Sequence, residues 1–352
     1  MNLQTSEAKQ EKAILIGLHN SKPEKETITF WAELEELAGT AGATVVGTLI
    51  QPRDNPDPAL FLGSGKTEEL ARQVKELSAD IVIAAQDLSP VQVRNLRDKV
   101  GVKVIDRTGL ILDIFAQRAQ TREGKLQVEL AQLNYLLPRI ANSDLRFSRS
   151  GGGIGTRGPG ESKLEVDRRH LRQRIADLRR ELLEVESHRM VQRQQREKNR
   201  IPTVALVGYT NAGKSTLFNR LTNAGVSAEG RLFDTLDPVS HLIRLPDHGE
   251  VLILDTVGFI SDLPHQLVAA FKATLEETVR ASVLVQVMDA SSSNLLAQYT
   301  AVKSVLTEIH IETKEMLNVL NKVDLLDSEN SLQRLAGDWG AFPVSAKYDL
   351  GI

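Results

Sequence analysis

Cysteine is missing altogether from the 352 residues. Its absence excludes disulfides, thiolate metal centres and cysteine nucleophiles together. No apolar stretch approaches the roughly 18 residues needed to cross a bilayer. The opening segment MNLQTSEAKQEK has no apolar core of the kind a secretory signal carries. These absences point to a soluble, cytoplasmic protein, and a monomer is expected. What is present is ordinary: 41% hydrophobic and 25% charged residues exclude whole-chain disorder. The length suggests two or three domains.

The net charge of -3 hides an asymmetry. Between Arg118 and Arg200 there are 19 Lys+Arg against 11 Asp+Glu, which leaves 24 basic and 35 acidic residues elsewhere. A basic middle between acidic flanks suits a polyanion partner, because clustered Lys and Arg replace counterions along phosphates. A solvated, Arg-rich helix is the plainer alternative on charge alone.

The chain up to residue 107 alternates strand-like and helix-like runs. AILIGL at 13–18, ATVVGTLI at 43–50, ADIVIAAQ at 79–86 and GVKVID at 101–106 read as strands. Helical runs over 27–42, 65–77 and 89–100 separate them, a pattern that predicts a parallel sheet under helical cover. QPRDNPDP at 51–58 reads as a loop. From 108 to 199 the pattern is helical. Leu126, Leu130, Leu133, Leu137 and Ile140 make one stripe, and Leu171, Ile175, Leu178, Leu182 and Val185 another. Two such stripes predict an antiparallel helical hairpin with a coiled-coil seam. Pro138 is expected to bend or end the first helix near its last turn. The second, over 161–198, would be about 57 Å long. The tip, NSDLRFSRSGGGIGTRGPG at 142–160, holds six glycines with Arg146, Arg149 and Arg157, and no acidic residue between Asp144 and Glu161. Backbone that can approach closely, with planar phosphate donors beside it, fits a nucleic-acid-probing tip. A Gly-rich linker is the competing reading.

The third domain, 200–352, carries the chemistry. IPTVALVG runs as a buried strand into GYTNAGKS at 208–215, which a helix follows. This is the phosphate-loop pattern in its required strand–helix context. Triphosphate charge has to be met by a ring of backbone N–H groups and a helix amino terminus. Gly208, Tyr209, Thr210, Asn211, Ala212 and Gly213 form that ring, Lys214 neutralises the terminal phosphates, and Thr216 follows in the first helical turn. Ser215 offers a hydroxyl to Mg²⁺. GSGKT at 63–67 is a decoy, since the leading glycine would have to stand where Leu60 is. VLILDTVG at 251–258 ends a strand in Asp255, placed to hold Mg²⁺ through a water, with the Gly258 amide available to a γ-phosphate. RLFDTLDP at 231–238 supplies Thr235 as a second Mg²⁺ hydroxyl and γ-phosphate sensor.

Base choice rests on NKVD at 321–324 and on Ser345-Ala346-Lys347. Asp324 would accept from guanine N1–H and its exocyclic amine, which adenine cannot match. Asn321 would brace the loop, Lys322 would pack along the nucleotide, and the Ala346 amide would reach guanine O6. Phe259 stands where many GTPases carry the glutamine that orients the attacking water. A phenyl ring cannot hydrogen-bond that water, so intrinsic hydrolysis is expected to be slow.

This ordered set resembles the translation-factor class of GTPases. The segments at 61–70, 106–140 and 151–175, together with GYTNAGKSTLFNRLT, are similar to the HflX family of ribosome-associated GTPases. The resemblance covers nearly the whole chain. It implies an α/β fold made of an amino-terminal domain, a helical hairpin and a P-loop G domain. It also implies GTP/GDP and the large ribosomal subunit as partners, with hairpin-tip arginines on ribosomal RNA and GTP hydrolysis used in splitting or rescue of ribosomes. Some related GTPases bind K⁺ through an asparagine placed like Asn211, which makes K⁺ a second candidate cofactor. The sequence stops at Ile352, where a G domain is expected to continue into a further helix. The rival reading is a non-catalytic, GTP-dependent ribosome-binding switch; a helical scaffold for a protein partner is the third.

Overall fold

The computed structural model describes residues 10–19, 24–141, 163–198, 201–226, 230–246, 249–261, 278–311, 314–326 and 328–352. By its internal contacts the chain divides into two units, Met1–Gln117 with Gln132–Ala176 and Arg118–Ala131 with Asp177–Ile352.

In the first unit, β1 (Glu11–His19), β2 (Ala43–Pro52), β3 (Ile81–Ala84) and β4 (Lys103–Asp106) form a parallel sheet in the order β2-β1-β3-β4. Burial is continuous from Ala13 to Leu18 in the central strand, as expected for a parallel strand covered on both faces. The helices are α1 (Glu24–Thr40), α2 (Ser64–Glu76), α3 (Pro90–Val100) and α4 (Arg107–Arg118). Helix α3 begins where its sequence says it should. Ser89 and Gln92 make a reciprocal capping box, Pro90 takes the first turn, and Gly101 closes the other end at φ 79°. GSGKT opens α2 with Gly63 as its cap. The loop read at 51–58 starts slightly later, because β2 runs to Pro52.

Helix α4 opens the helical stretch read from residue 108 onward. Leu110, Ile111, Leu112, Ile114 and Phe115 are all buried, so this segment is core and separate from the next helix, α5 (Arg122–Ala141). The far half of α5 is fastened to the end of β4. Asp106 is fully buried and accepts four hydrogen bonds, from the Gly109 and Leu88 amides at 2.9 and 3.1 Å, Tyr135 Oη at 2.8 Å and Arg139 Nη2 at 2.7 Å. The Arg139 guanidinium also lies 3.4 Å from the Tyr135 ring centroid. Burial and the Asp106 charge hold the Tyr135 hydroxyl well above its ordinary pKa. Pro138 does not end α5, which continues through it to Ala141.

Helix α6 (Lys163–Lys198) has 36 residues, about 54 Å. Along it Ile175 and Leu178 are buried while Leu171, Leu182 and Val185 are half-buried amid exposed neighbours. The predicted stripe is therefore the covered face. The Gly/Arg-rich tip with Arg146, Arg149 and Arg157 lies outside the described residues.

The second unit holds a six-stranded sheet in the order β10-β9-β8-β5-β7-β6. Its strands are β5 (Thr203–Gly208), β6 (Val239–Leu245), β7 (Gly249–Asp255), β8 (Val283–Asp289), β9 (Met316–Asn321) and β10 (Ala341–Pro343). All pair in parallel except β6, which joins β7 antiparallel at the edge. Helices α7 (Lys214–Thr222), α8 (Leu295–Glu308) and α9 (Glu329–Trp339) accompany it. Four of the motifs singled out above follow the carboxyl ends of β5, β7, β9 and β10, where open α/β sheets place their ligands; the 231–238 segment precedes β6.

Candidate nucleotide site

The turn from β5 into α7 is built by backbone geometry. Gly208 and Gly213 have φ of 155° and 92°, and Asn211 sits at φ 61°, values that fold the loop around its own amides. Beside it, β5 and β7 continue to pair past their formal ends. The Thr210 amide donates to Phe259 O at 2.6 Å and the Phe259 amide to Gly208 O at 3.1 Å. That tie brings Gly258 so close that a Cβ on it would lie 2.7 Å from Thr210 Cα, so only glycine fits. It also settles Phe259: the ring is buried and its backbone is a strand partner.

Lys214 is buried, and its ammonium donates to Gly208 O at 3.2 Å and Tyr209 O at 3.0 Å. Burial pulls its pKa down to about 8, against the opposing pull of Asp255. Three oxygens line up behind it. Ser215 Oγ is 2.7 Å from Thr235 Oγ1, which donates to Asp255 Oδ2 at 3.0 Å. Asp255 is fully buried, its Oδ1 has no hydrogen-bond partner among the described residues, and burial pushes its carboxyl above the usual range. The nearby ammonium, the Ser215 and Thr235 hydroxyls and the Thr256 amide offset that push. Hard oxygens in this set suit Mg²⁺, which binds few protein ligands and keeps waters and phosphate oxygens. Among the described residues there is no group of three or more His, Cys, Asp or Glu able to hold a metal.

The other half of the site is held by Asn321. Its Nδ2 donates to Ala212 O at 2.9 Å and its Oδ1 accepts the Ala346 amide at 3.0 Å. One side chain thus ties the phosphate loop to the 345–347 loop. The Ala346 amide makes this bond at the edge of the cavity that Ala346 lines. Ser345 Oγ donates to Asp324 Oδ1 at 2.5 Å and orients the carboxylate. Lys322, at φ 62°, places its ammonium 2.8 Å from Asp289. Arg220, which the sequence did not single out, donates to Ala346 O at 2.9 Å and Lys347 O at 2.8 Å. No local pattern marks it, because its partners lie more than 120 positions away.

Between the two halves lies a cavity of about 380 Å³. Of the residues predicted, Thr210, Asn211, Gly213, Lys214, Ser215, Thr216, Thr235, Gly258, Asn321, Lys322, Asp324, Ala346 and Lys347 line it. Gly208, Tyr209, Ala212, Asp255 and Ser345 stand behind that lining as supports. Arg231, Phe233 and Asp234 also face it; within their segment the sequence marks only Thr235.

Three sequence families match in succession: one described as GTP-binding GTPase N-terminal over residues 30–116, one as GTP-binding GTPase Middle Region over 118–196, and one as 50S ribosome-binding GTPase over 203–322. GTPase HflX of Caldanaerobacter subterraneus subsp. tengcongensis is 50% identical over 343 residues, 97% of this chain and 78% of that protein. GTPase HflX of Escherichia coli K12 is 49% identical over 317 residues, 90% of this chain and 74% of that one. Among solved structures, a GTP-binding protein from the archaeon Sulfolobus solfataricus in complex with GDP is 26% identical at a TM-score of 0.50, covering 97% of this chain and 94% of that chain. A complex of SsGBP and GDP is 27% identical at a TM-score of 0.53, covering 96% and 94%. No described helix is long and apolar enough to cross a membrane.

Proposed function

Because this chain belongs to the HflX family of GTPases, we propose that it binds and hydrolyses GTP in the cavity between the phosphate loop and the 321–324 and 345–347 loops. We further propose that it does so on the large ribosomal subunit, to split or rescue stalled or idle ribosomes. The observation that carries the reading is the brace made by Asn321. It ties the phosphate loop to the 345–347 loop across the cavity that Asp324 also lines.

In this reading each group has one task. The loop amides and the start of α7 hold the phosphates, and Lys214 sits against the terminal ones. Ser215 and Thr235 would hold Mg²⁺ directly, with Asp255 behind them through a water, and the ion would neutralise charge developing between the β- and γ-phosphates. The Gly258 amide faces the γ-phosphate, and Asn211 is the candidate K⁺ ligand. Asp324 reads the base, while Arg220 keeps the 345–347 loop in place. The arginines of the 142–160 tip contact ribosomal RNA. The family description as a 50S ribosome-binding GTPase supports the partner.

With Phe259 buried as a strand partner, nothing at that position orients water. Hydrolysis by the free protein is therefore expected to be slow and to rise at least tenfold with large subunits. Equal rates with and without subunits would refute the coupling. Sedimentation with purified large and small subunits provides the direct test of the partner. The protein should travel with large subunits when a non-hydrolysable GTP analogue is present and largely leave them with GDP. Co-sedimentation that ignores the nucleotide would sink the proposal. Phe259 also sustains the second reading, a GTP-dependent switch without turnover, which single-turnover hydrolysis on ribosomes separates from the first.

The buried ammonium makes binding pH-dependent. Its pKa is about 8 in the protein alone, and a polyphosphate beside it stabilises the charged form and raises that value. Above pH 8 binding must then take up a proton. Nucleotide affinity should fall as pH rises from 8 to 10, by up to about tenfold per unit, and this group should leave it flat below pH 7. Calorimetry at pH 9 in buffers of different ionisation heat should register the proton; its absence would mean that Lys214 is not at the phosphates.

A further inference from the structure

We propose that Asp237 is a positioning residue for Thr235, and that it acts by fastening the 231–238 segment to the first turn of α5. The proposal deepens the reading above, since it takes Thr235 as the group that meets the γ-phosphate side of the site.

Asp237 Oδ2 accepts the Gln120 amide at 2.8 Å and the Thr121 amide at 2.9 Å, and Thr121 Oγ1 donates to Oδ1. Each is a charge-assisted bond, stronger than its neutral equivalent. They converge at a helix amino terminus, where a carboxylate is also favoured by the helix dipole. Thr121 is itself the cap of that helix, because its hydroxyl accepts the Gly124 amide at 2.9 Å and its carbonyl accepts the Lys125 amide at 3.0 Å. One threonine therefore serves the helix and the loop together.

A second observation, independent of those bonds, is the room made for the carboxylate. Gly124 lies inside α5, where glycine is disfavoured by roughly 1 kcal/mol relative to alanine. A Cβ there would stand 2.2 Å from Asp237 Oδ1. The helix carries its weakest ordinary residue at the point where the carboxylate presses in. A further strap joins the same segment, with Arg118 Nη2 3.6 Å from Asp234 Oδ1.

Thr235 is two residues from Asp237, and Leu236 between them is buried. Two residues span at most about 7 Å even when extended, so a shift at the α5 turn is felt at Thr235. The Thr235 hydroxyl reaches Ser215 and Asp255 from a loop whose other fixed end is the Phe233 amide, which donates to Thr210 Oγ1 at 2.9 Å. Asp237 provides the second tether. Linkage is reciprocal: if the α5 turn sets the pose of Thr235, a ligand that engages Thr235 steadies the α5 turn.

The test compares affinity for GDP, which has no γ-phosphate, with that for a non-hydrolysable GTP analogue, in the full chain. Asp237→Ala should lose about tenfold for the analogue, within the usual range of coupling between sites, and less than twofold for GDP. Asp237→Asn, which can still accept but without charge, should fall between. Gly124→Ala favours the helix by propensity, so it should fold well and yet show the same selective loss. In the parent protein, amides 120–125 should exchange more slowly with the analogue than with GDP, and Asp237→Ala should abolish that difference. Equal losses for both nucleotides, or an unchanged ratio in Gly124→Ala, would leave Asp237 as a mere helix cap and overturn the proposal. Thr235→Ala separates the layers. If it shifts the ratio and Asp237→Ala does not, the tether fails while the site reading stands; if Thr235→Ala shifts nothing, both fall.

Discussion

Asp324→Asn should reduce GTP affinity by about a thousandfold while leaving weak ATP binding where it was. Guanine offers two adjacent donors, N1–H and the exocyclic amine, and a carboxylate accepts both. Replacing one oxygen by an amide nitrogen turns an acceptor into a donor, so one bond is lost and two N–H groups face each other. Sites built around such hydrogen bonds discriminate strongly because the unmatched groups stay unpaired. The geometry sharpens the expectation, since Ser345 Oγ already fixes the carboxylate at 2.5 Å and leaves it little freedom to adapt. The variant should also gain affinity for xanthosine triphosphate, whose 2-oxo group accepts where guanine's amine donates. Calorimetry with the three nucleotides decides the matter. A GTP preference untouched by the substitution would remove the basis for the base assignment.

Lys214→Met should lower kcat/KM for GTP by a factor of about a thousand, the scale seen when a preorganised donor is removed from developing charge. It should do so without unfolding the protein. Burial already holds this ammonium well below its ordinary pKa, so the folded state carries its charge at a penalty. A methionine of similar length takes that penalty away while leaving the Gly208 and Tyr209 carbonyls without the lysine's bonds. The melting temperature is accordingly expected to stay within a few degrees of the parent at pH 7. Turnover within tenfold of the parent would exclude Lys214 from the reaction; a collapsed melting temperature would show that the lysine serves the fold first.

The parts of the site legible in the sequence were those encoded by short, contiguous patterns. GYTNAGKS, DTVG, NKVD and the 345–347 triplet each carry their conformation locally, through glycines, strand ends and tight turns. The structure brings most of them around one cavity. Arg220 and Asp237 were invisible for the opposite reason. Each is an unremarkable residue whose partners lie more than a hundred positions away, and no spacing rule reaches that far. The bond from the Ala346 amide to Asn321 Oδ1 was hidden in the same way, because the two residues stand 25 positions apart.

Helices followed a similar division. The stripe on α6 could be counted off, since a 3.6-residue period is a property of the chain itself. Helix α4 carries an apolar run too, but which apolar surface it joins is a matter of competition among all the surfaces present. It settled in the first unit with Leu110, Ile111 and Phe115 in the core. Pro138 was expected to bend or end α5 near its last turn; the helix runs on to Ala141, and Arg139 on the next position is bound to Asp106 and stacked on Tyr135.

By itself, then, the order of residues determined the chemical class of the site, because phosphate loops and base-reading tetrads depend on neighbours along the chain. Tertiary structure alone decided how those pieces are braced and which distant loop is tied to which helix. Hydrogen bonds and burial act through space, and residues far apart in number meet only when the sheet and its helices have closed around them.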